Sequence, residues 1–417
     1  MEKPFEVLST TSDYAQKISA EEQKIIDFID AHIEDAIALL EKTVNIESPT
    51  ENLAGVKEVG MVFKQEFESL GFNTKWIEMP VEMKRAGHLT AEKIGTKGKR
   101  ILLLGHLDTV LKGEKFRREV DKAYGTGVYD MKAGVVVMNY ALKALHAVDL
   151  LKDASIIAML TGDEENAGNP KETSRADLIA AAKRSDLALG FEFGRNNFAI
   201  ASRRGTAKWQ LEVTAKSGHS SLIFAENMGS GAVFEAARII NQFYETLHSE
   251  KYLTFNPSLF VGGTEIEIKD EAITVEGKLN VVSAKAMVRG DLRFISEEQK
   301  EAASAKMREI TAKNLPGTSS KITFSNGIPA MPPTNGNYAL LEQLDAVSQD
   351  LSFGKIDAFD PGERGAGDIS YIAHLIPGID ALGAAGGNAH GSGEYIDLAT
   401  LPSQIKRSAV LIYRLTR

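Results

Sequence analysis

Apolar residues recur at helical spacing over residues 21–44, where Ile25, Phe28, Ile29, Ile33, Ile37 and Leu40 mark one face of an amphipathic helix. A second helix is predicted over residues 53–70 and is closed by Gly71. Residues 74–79 and the short apolar run 100–104 then predict strands. A helix over 133–148 follows, with two more buried strands at 154–160 and 186–190. Buried strands alternating with helices predict an α/β fold whose mostly parallel sheet is covered on both faces.

The character changes after Arg204. Residues 207–215 alternate as an antiparallel strand does, and 230–250 predict a helix carrying Val233, Ala237, Ile240 and Tyr244. Strands are predicted at 264–268, 272–279 and 287–294, then a Glu/Lys-rich helix at 297–313. This block predicts a small α+β domain inserted into the first. The α/β pattern resumes near Ile322 and closes with a helix over 401–415. The expected division is 1–204 and 319–417 for the main domain and 205–318 for the insert. Two domains are also what a chain of 417 residues leads one to expect.

Composition changes the picture in three ways. A net charge of −9 is the wrong sign for a general nucleic-acid surface, so no nucleic-acid partner is expected. No apolar run reaches the ~18 residues of a membrane span, and the first twenty residues hold no continuous apolar stretch. A cytoplasmic protein is expected, or a periplasmic one if a signal peptide has been removed. Cysteine is absent, which excludes disulfides, thiolate metal sites and cysteine nucleophiles. Any metal must be held by His, Asp and Glu.

The candidates for chemistry follow the predicted strands, where ligands bind in open α/β sheets. Gly105-His106-Leu107-Asp108-Thr109 comes directly after residues 100–104. In His-x-Asp the histidine can ligate a metal while the aspartate accepts its other ring N–H. In Gly125-Thr126-Gly127-Val128-Tyr129-Asp130, glycines and a following helix describe a tight turn that presents Asp130. Asp130 is either a helix N-cap or a ligand at that point. Asp163, Glu164 and Glu165 end the strand at 154–160 and repel one another unless a cation neutralises them. They form a solvated acidic turn, or Glu165 is a ligand with Glu164 a free base. Glu192 stands alone between Phe191 and Phe193, and His390 lies in a glycine-rich loop. Together His106, His390, Asp130, Glu165 and Glu192 supply two sites of three ligands each if one carboxylate is shared. That donor count is the signature of a catalytic two-metal site.

These motifs, with Asn388-Ala389-His390-Gly391, resemble the signatures of the M20 metallopeptidase family, in the same order over nearly the whole chain. Within the family the glutamate carboxypeptidases are nearest in pattern; aminoacylases, desuccinylases and dipeptidases share the superfamily. The resemblance implies a zinc-dependent exopeptidase-type mixed sheet flanked by helices, with a ferredoxin-like insert acting as lid and dimerisation domain. It implies two Zn²⁺ per subunit, and such ligands also accept Co²⁺ or Mn²⁺. Asp130 would bridge the ions, His106 and Glu192 would hold one, and Glu165 and His390 the other. Asp108 would support His106, and Glu164 would be the general base. The peptide bond after Asp130 would be cis. His219 would reach the partner subunit's site in a homodimer and stabilise the oxyanion. Asn280 and Arg293 would hold the substrate's carboxylate, with Arg289, Asp291 and Arg293 on one face of a strand. The implied reaction is amide cleavage in a small peptide or N-acyl amino acid. Two readings from other classes compete: a two-metal phosphoesterase and a non-catalytic binding relative.

Overall fold

The computed structural model describes residues 18–269 and 272–417. The N-terminal stretch considered above for a signal peptide lies outside them up to residue 17. The predicted helix over 21–44 is two helices, α1 (Ala20–Ala31) and α2 (Ile33–Val44). They break at His32, whose Nδ1 bonds the carbonyl of Phe28 and whose ring stacks on the Phe28 ring. Then come α3 (Leu53–Ser69), β1 (Asn73–Ile77), β2 (His88–Lys93), β3 (Lys97–His106), α4 (Ala133–Ala147), β4 (Ala154–Thr161), α5 (Ala176–Ala182) and β5 (Leu187–Gly190).

After an insert, α8 (Asn335–Asp350), β10 (Gly378–Ile379) and α9 (Leu401–Leu415) complete the main domain. The insert itself supplies β6 (Gly205–Ala215), α6 (Ala232–Leu247), β7 (Thr254–Gly263), β8 (Lys285–Phe294), α7 (Glu297–Thr311) and β9 (Thr318–Asn326).

The main sheet has the order β1-β2-β4-β3-β5-β10. Strands β4, β3, β5 and β10 run parallel, while β1/β2 and β2/β4 are antiparallel, so the sheet is mixed. Strand β2 escapes the sequence pattern because only Leu89 and Ala91 are apolar in it. The apolar run in β3 feeds two cores at once. Ile101 and Leu103 join one cluster, while Leu102 and Leu104 join another on the opposite face. Strand β4 does the same with Ile156, Ala158 and Leu160 against Ile157 and Met159. Burial on both faces is why these runs lack polar alternation.

The insert's sheet is antiparallel in the order β7-β8-β6-β9. With one helix after its first strand and one after its third, this is the ferredoxin-like arrangement. Two expectations are corrected. The strands expected at 264–268 and 272–279 form a separate two-stranded arm, and β7 takes the place in the sheet. Strand β9 belongs to the insert because it pairs with β6 from Thr318 to Asn326. The return to the main domain, expected at residue 319, therefore follows Asn326. Helix α6 buries Ala232, Ala236, Ile239, Phe243 and Leu247 against Trp209 and Leu211. On its other side Val233 and Tyr244 are exposed at 39% and 58%, with Phe234 beside them at 55%. Both faces of this helix carry apolar residues, so periodicity alone could not choose between them.

Helix α4 lies unusually close to the end of β5. A Cβ on Gly134 would strike the backbone carbonyl of Phe191. That carbonyl is backbone just past the end of β5 and cannot yield as a side-chain tip would. Gly134→Ala is therefore expected to lower the urea midpoint. Overpacking costs about 1–3 kcal/mol, which outweighs the ~1 kcal/mol that alanine gains in a helix. A raised midpoint would show that the helix can back away.

Candidate metal centre and its supports

Strands β4, β3 and β5 are adjacent and parallel, so their carboxyl ends deliver side chains to one place. His106 is the last residue of β3, Glu164 and Glu165 follow β4, and Glu192 follows β5. Asp130 comes from the turn before α4. Its peptide bond to Met131 is cis, as the resemblance implies. His390 comes from a loop between two short strands, Gly386–Gly387 and Tyr395–Asp397, the second of which pairs with Lys122–Tyr124.

The distances place Asp130 in the middle. Its Oδ1 is 3.1 Å from His106 Nε2 and its Oδ2 is 2.9 Å from His390 Nε2. His106 Nε2 is also 3.5 Å from Glu192 Oε1, and His390 Nε2 is 3.3 Å from Glu165 Oε2. Donor atoms of His106, Asp130 and Glu165 lie within 4.8 Å of one another, and so do those of His106, Glu164 and Glu192. All the expected ligands thus come together, and Glu164 stands among them.

Burial makes this a costly group to ionise. Burial raises the Glu164 carboxyl well above its usual range despite His106 nearby, and Glu192 and Asp368 push it further. Burial, then Asp130, pushes Glu192 up to about 8. Burial also raises Glu165. Asp130 is the exception: hydrogen bonds from His106 and His390 overcome its burial and hold it at about 2. Hydrogen bonds to Asp130 and Glu165 in turn raise His390 to about 10. Oε1 of Glu165 is buried with no hydrogen-bond partner. Divalent cations would neutralise such a cluster and engage that oxygen, and an all-N/O donor set suits zinc, cobalt or manganese. The residues present fit a two-metal group.

Around the cluster, other charges are satisfied inside the protein. The Asp108 carboxylate lies behind His106 and also bonds beyond it. His106 Nδ1 lies 2.9 Å from the Asp108 carbonyl oxygen and 3.4 Å from its carboxylate. The carboxylate also accepts the Thr50 hydroxyl at 2.7 Å and the N–H groups of Glu164 and Glu165 at 3.0 and 3.2 Å. Asp163 turns away from its two acidic neighbours. It accepts from Arg175 and the Ser174 hydroxyl, each at 2.6 Å, and from the Gly168 N–H at 2.8 Å. Arg175 Nε also reaches Asp368 at 2.7 Å, and Asp368 accepts the Thr161 hydroxyl.

Asp380 binds Arg203 Nε at 2.9 Å and accepts the Glu192 N–H at 3.3 Å. Lys132, pulled down to about 7 by burial, donates to the carbonyls of Thr43 and Ile46 and so ties α2 to the Asp130 turn. Arg175, Asp368, Arg203 and Asp380 were missed in the sequence reading. One signal was available: Asp380 is the lone charge in the apolar stretch from Ile376 to Leu382.

The insert's candidates lie apart from the cluster. His219 is exposed, with Nδ1 2.8 Å from the Ser221 hydroxyl. Asn280 sits beside it, its carbonyl accepting the Ser220 N–H at 2.9 Å. Arg293 is at the other end of β8, paired with Thr206 near the crossing between domains, with Nε 3.1 Å from Asp291. Arg289, Asp291 and Arg293 share one face of β8, as the alternation predicts. Among the described residues, no hydrogen bond or ion pair joins His219, Asn280 or Arg293 to the His106–Asp130 cluster.

This fold and a carboxylate-rich donor cluster at the strand ends define a metal-dependent hydrolase class. Residues 102–414 match peptidase family M20/M25/M40, and the chain belongs to that family. Carboxypeptidase G2 of Pseudomonas sp. (strain RS-16) is 29% identical over 90% of this chain and 88% of the relative. A succinyl-diaminopimelate desuccinylase of Wolbachia pipientis wMel is 22% identical over 87% of this chain and 89% of the relative. Among solved structures, aminopeptidase PepT from Bacillus cereus ATCC 10987 superposes with a TM-score of 0.73 at 19% identity, covering 92% of this chain and 99% of that one. A dinuclear metal-binding peptidase of the M20 family from Bacillus subtilis gives 0.64 at 14% identity, covering 93% and 99%. The chain is accordingly a hydrolase of the metallopeptidase class. No helix among the described residues is long and apolar enough to cross a membrane.

Arg175 is the only cation bonded to both Asp163 and Asp368 among the described residues, and all three are buried. Arg175→Met should therefore destabilise the protein by about 3–5 kcal/mol, because uncompensated buried charge remains. Denaturation by urea reads this directly. An unchanged midpoint would mean that the two aspartates are neutral without the arginine.

Proposed function

We propose that this chain is a two-zinc amidohydrolase that cleaves the amide bond of a small peptide or N-acyl amino acid bearing a free carboxylate. One observation carries the reading. Asp130 presents one oxygen to His106 and the other to His390, and Glu164 is left over once each half-site has its histidine and carboxylate. His106 and Glu192 would hold one ion, His390 and Glu165 the other, with Asp130 shared. When bound, the pair supplies Lewis-acid polarisation of the scissile carbonyl and acidifies a water molecule at the site.

Glu164 takes the proton of the attacking water and gives it to the leaving amine nitrogen. Its burial raises proton affinity, which suits a group that must both accept and return a proton. Asp108 holds the N–H groups of Glu164 and Glu165, and so keeps the base and its neighbouring ligand in register. Arg293 supplies a guanidinium that can bind a free carboxylate in two parallel hydrogen bonds. Asn280 adds an amide donor. His219 donates to the oxyanion of a partner subunit's site. Its exposure and its lack of a bond to its own cluster favour this over a role within one chain. Exposed Leu222, Phe224, Phe234 and Leu279 on the same insert favour a homodimer through that surface.

The carboxypeptidase and desuccinylase relatives favour amide over phosphoester cleavage. Dipeptidase and aminoacylase activities are variants of the same reading. A mass-spectrometric screen of dipeptides, N-acyl amino acids and phosphoesters with zinc supplied tests it. Phosphoester cleavage without any amide cleavage would overturn it.

The roles of the two adjacent glutamates separate cleanly. Glu164→Gln should retain both metals by elemental analysis and lose about 10²–10⁴-fold in turnover, the usual range for a general base. Glu165→Ala should lose metal. Equal zinc loss in both variants would show that Glu164 is a ligand.

The dimer reading has its own test. A Glu165→Ala subunit mixed with a His219→Ala subunit should recover activity, because one site per hybrid has all its ligands and a histidine from the other chain. Removing an oxyanion donor lowers kcat by roughly 10²–10³-fold, so recovery is easily measured. Hybrids that form and stay inactive would return His219 to its own subunit.

A further inference from the structure

Glu394 is buried, 5% exposed, and bonds to no cation among the described residues. Its carboxylate is instead consumed by backbone. Oε2 accepts the Gly127 N–H at 2.8 Å, and Oε1 accepts the N–H groups of Tyr129 and Asp130 at 2.8 and 2.9 Å. The first and last of these residues bound the turn that presents Asp130. Glu394 itself lies four residues after His390 in the same loop, and its carbonyl accepts the Gly125 N–H at 3.2 Å. In that loop Asn388 and His390 both adopt positive φ, at 61° and 60°, a region uncommon for residues other than glycine.

We propose that Glu394 is a positioning residue for the metal centre, clamping the turn that carries Asp130 to the loop that carries His390. The proposal rests on the two-metal reading above. One side chain then sets the separation between the shared ligand and a ligand of the second half-site. Asp130 is placed through its own N–H, and His390 through four residues of loop. A carboxylate is suited to this task because three converging N–H donors need two oxygens with several lone pairs. Glutamine keeps the shape but offers one oxygen, and sets its NH₂ against at least one N–H donor. Alanine leaves all three donors without this partner.

The test is cobalt binding to the full-length protein, with affinity from chelator competition and the visible spectrum of the bound ion as a second readout. Outer-shell partners of metal ligands typically contribute 10–100-fold in affinity. Glu394→Ala is expected to bind Co²⁺ about 10–100-fold more weakly, with an altered spectrum, and Glu394→Gln is expected to fall between it and the wild type. Glu22→Ala, which removes a buried carboxylate paired with Arg414 away from the cluster, should bind Co²⁺ as the wild type does. If Glu394→Ala fails to fold, Glu394→Gln alone decides.

A wild type that takes up two ions, with both Glu394 variants matching its affinity and spectrum, would overturn this inference and leave the two-metal reading intact. A wild type that takes up no cobalt would overturn both. Equal weakening in Glu22→Ala would reduce the Glu394 effect to general loss of stability and overturn the positioning role.

Discussion

Four carboxylates, Asp130, Glu164, Glu165 and Glu192, converge on two imidazoles in a largely buried space, and the rest of the structure is arranged around the cost of that charge. Removing a carboxylate from water without a counter-charge is among the most expensive steps a fold can take. The protein meets it in two ways. Charges that support the scaffold are paired internally: Asp163 and Asp368 share Arg175, and Asp380 pairs with Arg203. Charges in the cluster itself are left to one another and to the histidines, with their protonation displaced in both directions. The contrast within Asp163-Glu164-Glu165 is instructive. Three adjacent acids divide into one that a guanidinium compensates and two that face the donor cluster.

The supports also explain how segments far apart in the chain hold one geometry. Asp108 organises the end of β4 from the end of β3. Asp380, near β10, holds the N–H of Glu192 after β5, and Arg203 binds it from the threshold of the insert. Residues 203 and 206 pair with 331 and 328 across the two crossings between domains. Arg203, which binds the Asp380 carboxylate, thus stands at one of these crossings. The insert in turn presents His219 and Asn280 on a surface with exposed aromatic and aliphatic residues, away from the cluster of its own chain.

Much of this was legible in the sequence. The apolar runs at 100–104 and 154–160 are strands because burial on both faces removes the polar alternation, and this marks their ends as the place for chemistry. His106, Asp130, Glu165, Glu192 and His390 stood out because each follows a strand or a glycine turn, and the fold brings them together. The general plan of an inserted α+β domain was legible as well. Its interior was harder to parse: β7 contains Pro257 and little burial, and the arm strands at 265–269 and 272–276 alternate as convincingly as a sheet strand does.

By itself, then, the sequence determined which residue types could hold a metal, where strands end, and that no thiol chemistry is available. These are local properties, carried by periodicity, composition and turn residues. Only the tertiary structure decided the partners: that Asp163 meets Arg175, that Asp108 bonds the backbone of Glu164 and Glu165, and that Glu394 holds the turn at Asp130. Such pairs join residues 12 to 267 positions apart. No local pattern encodes a hydrogen bond across that separation, because only the packing of sheet, turn and loop brings its two ends within 3 Å.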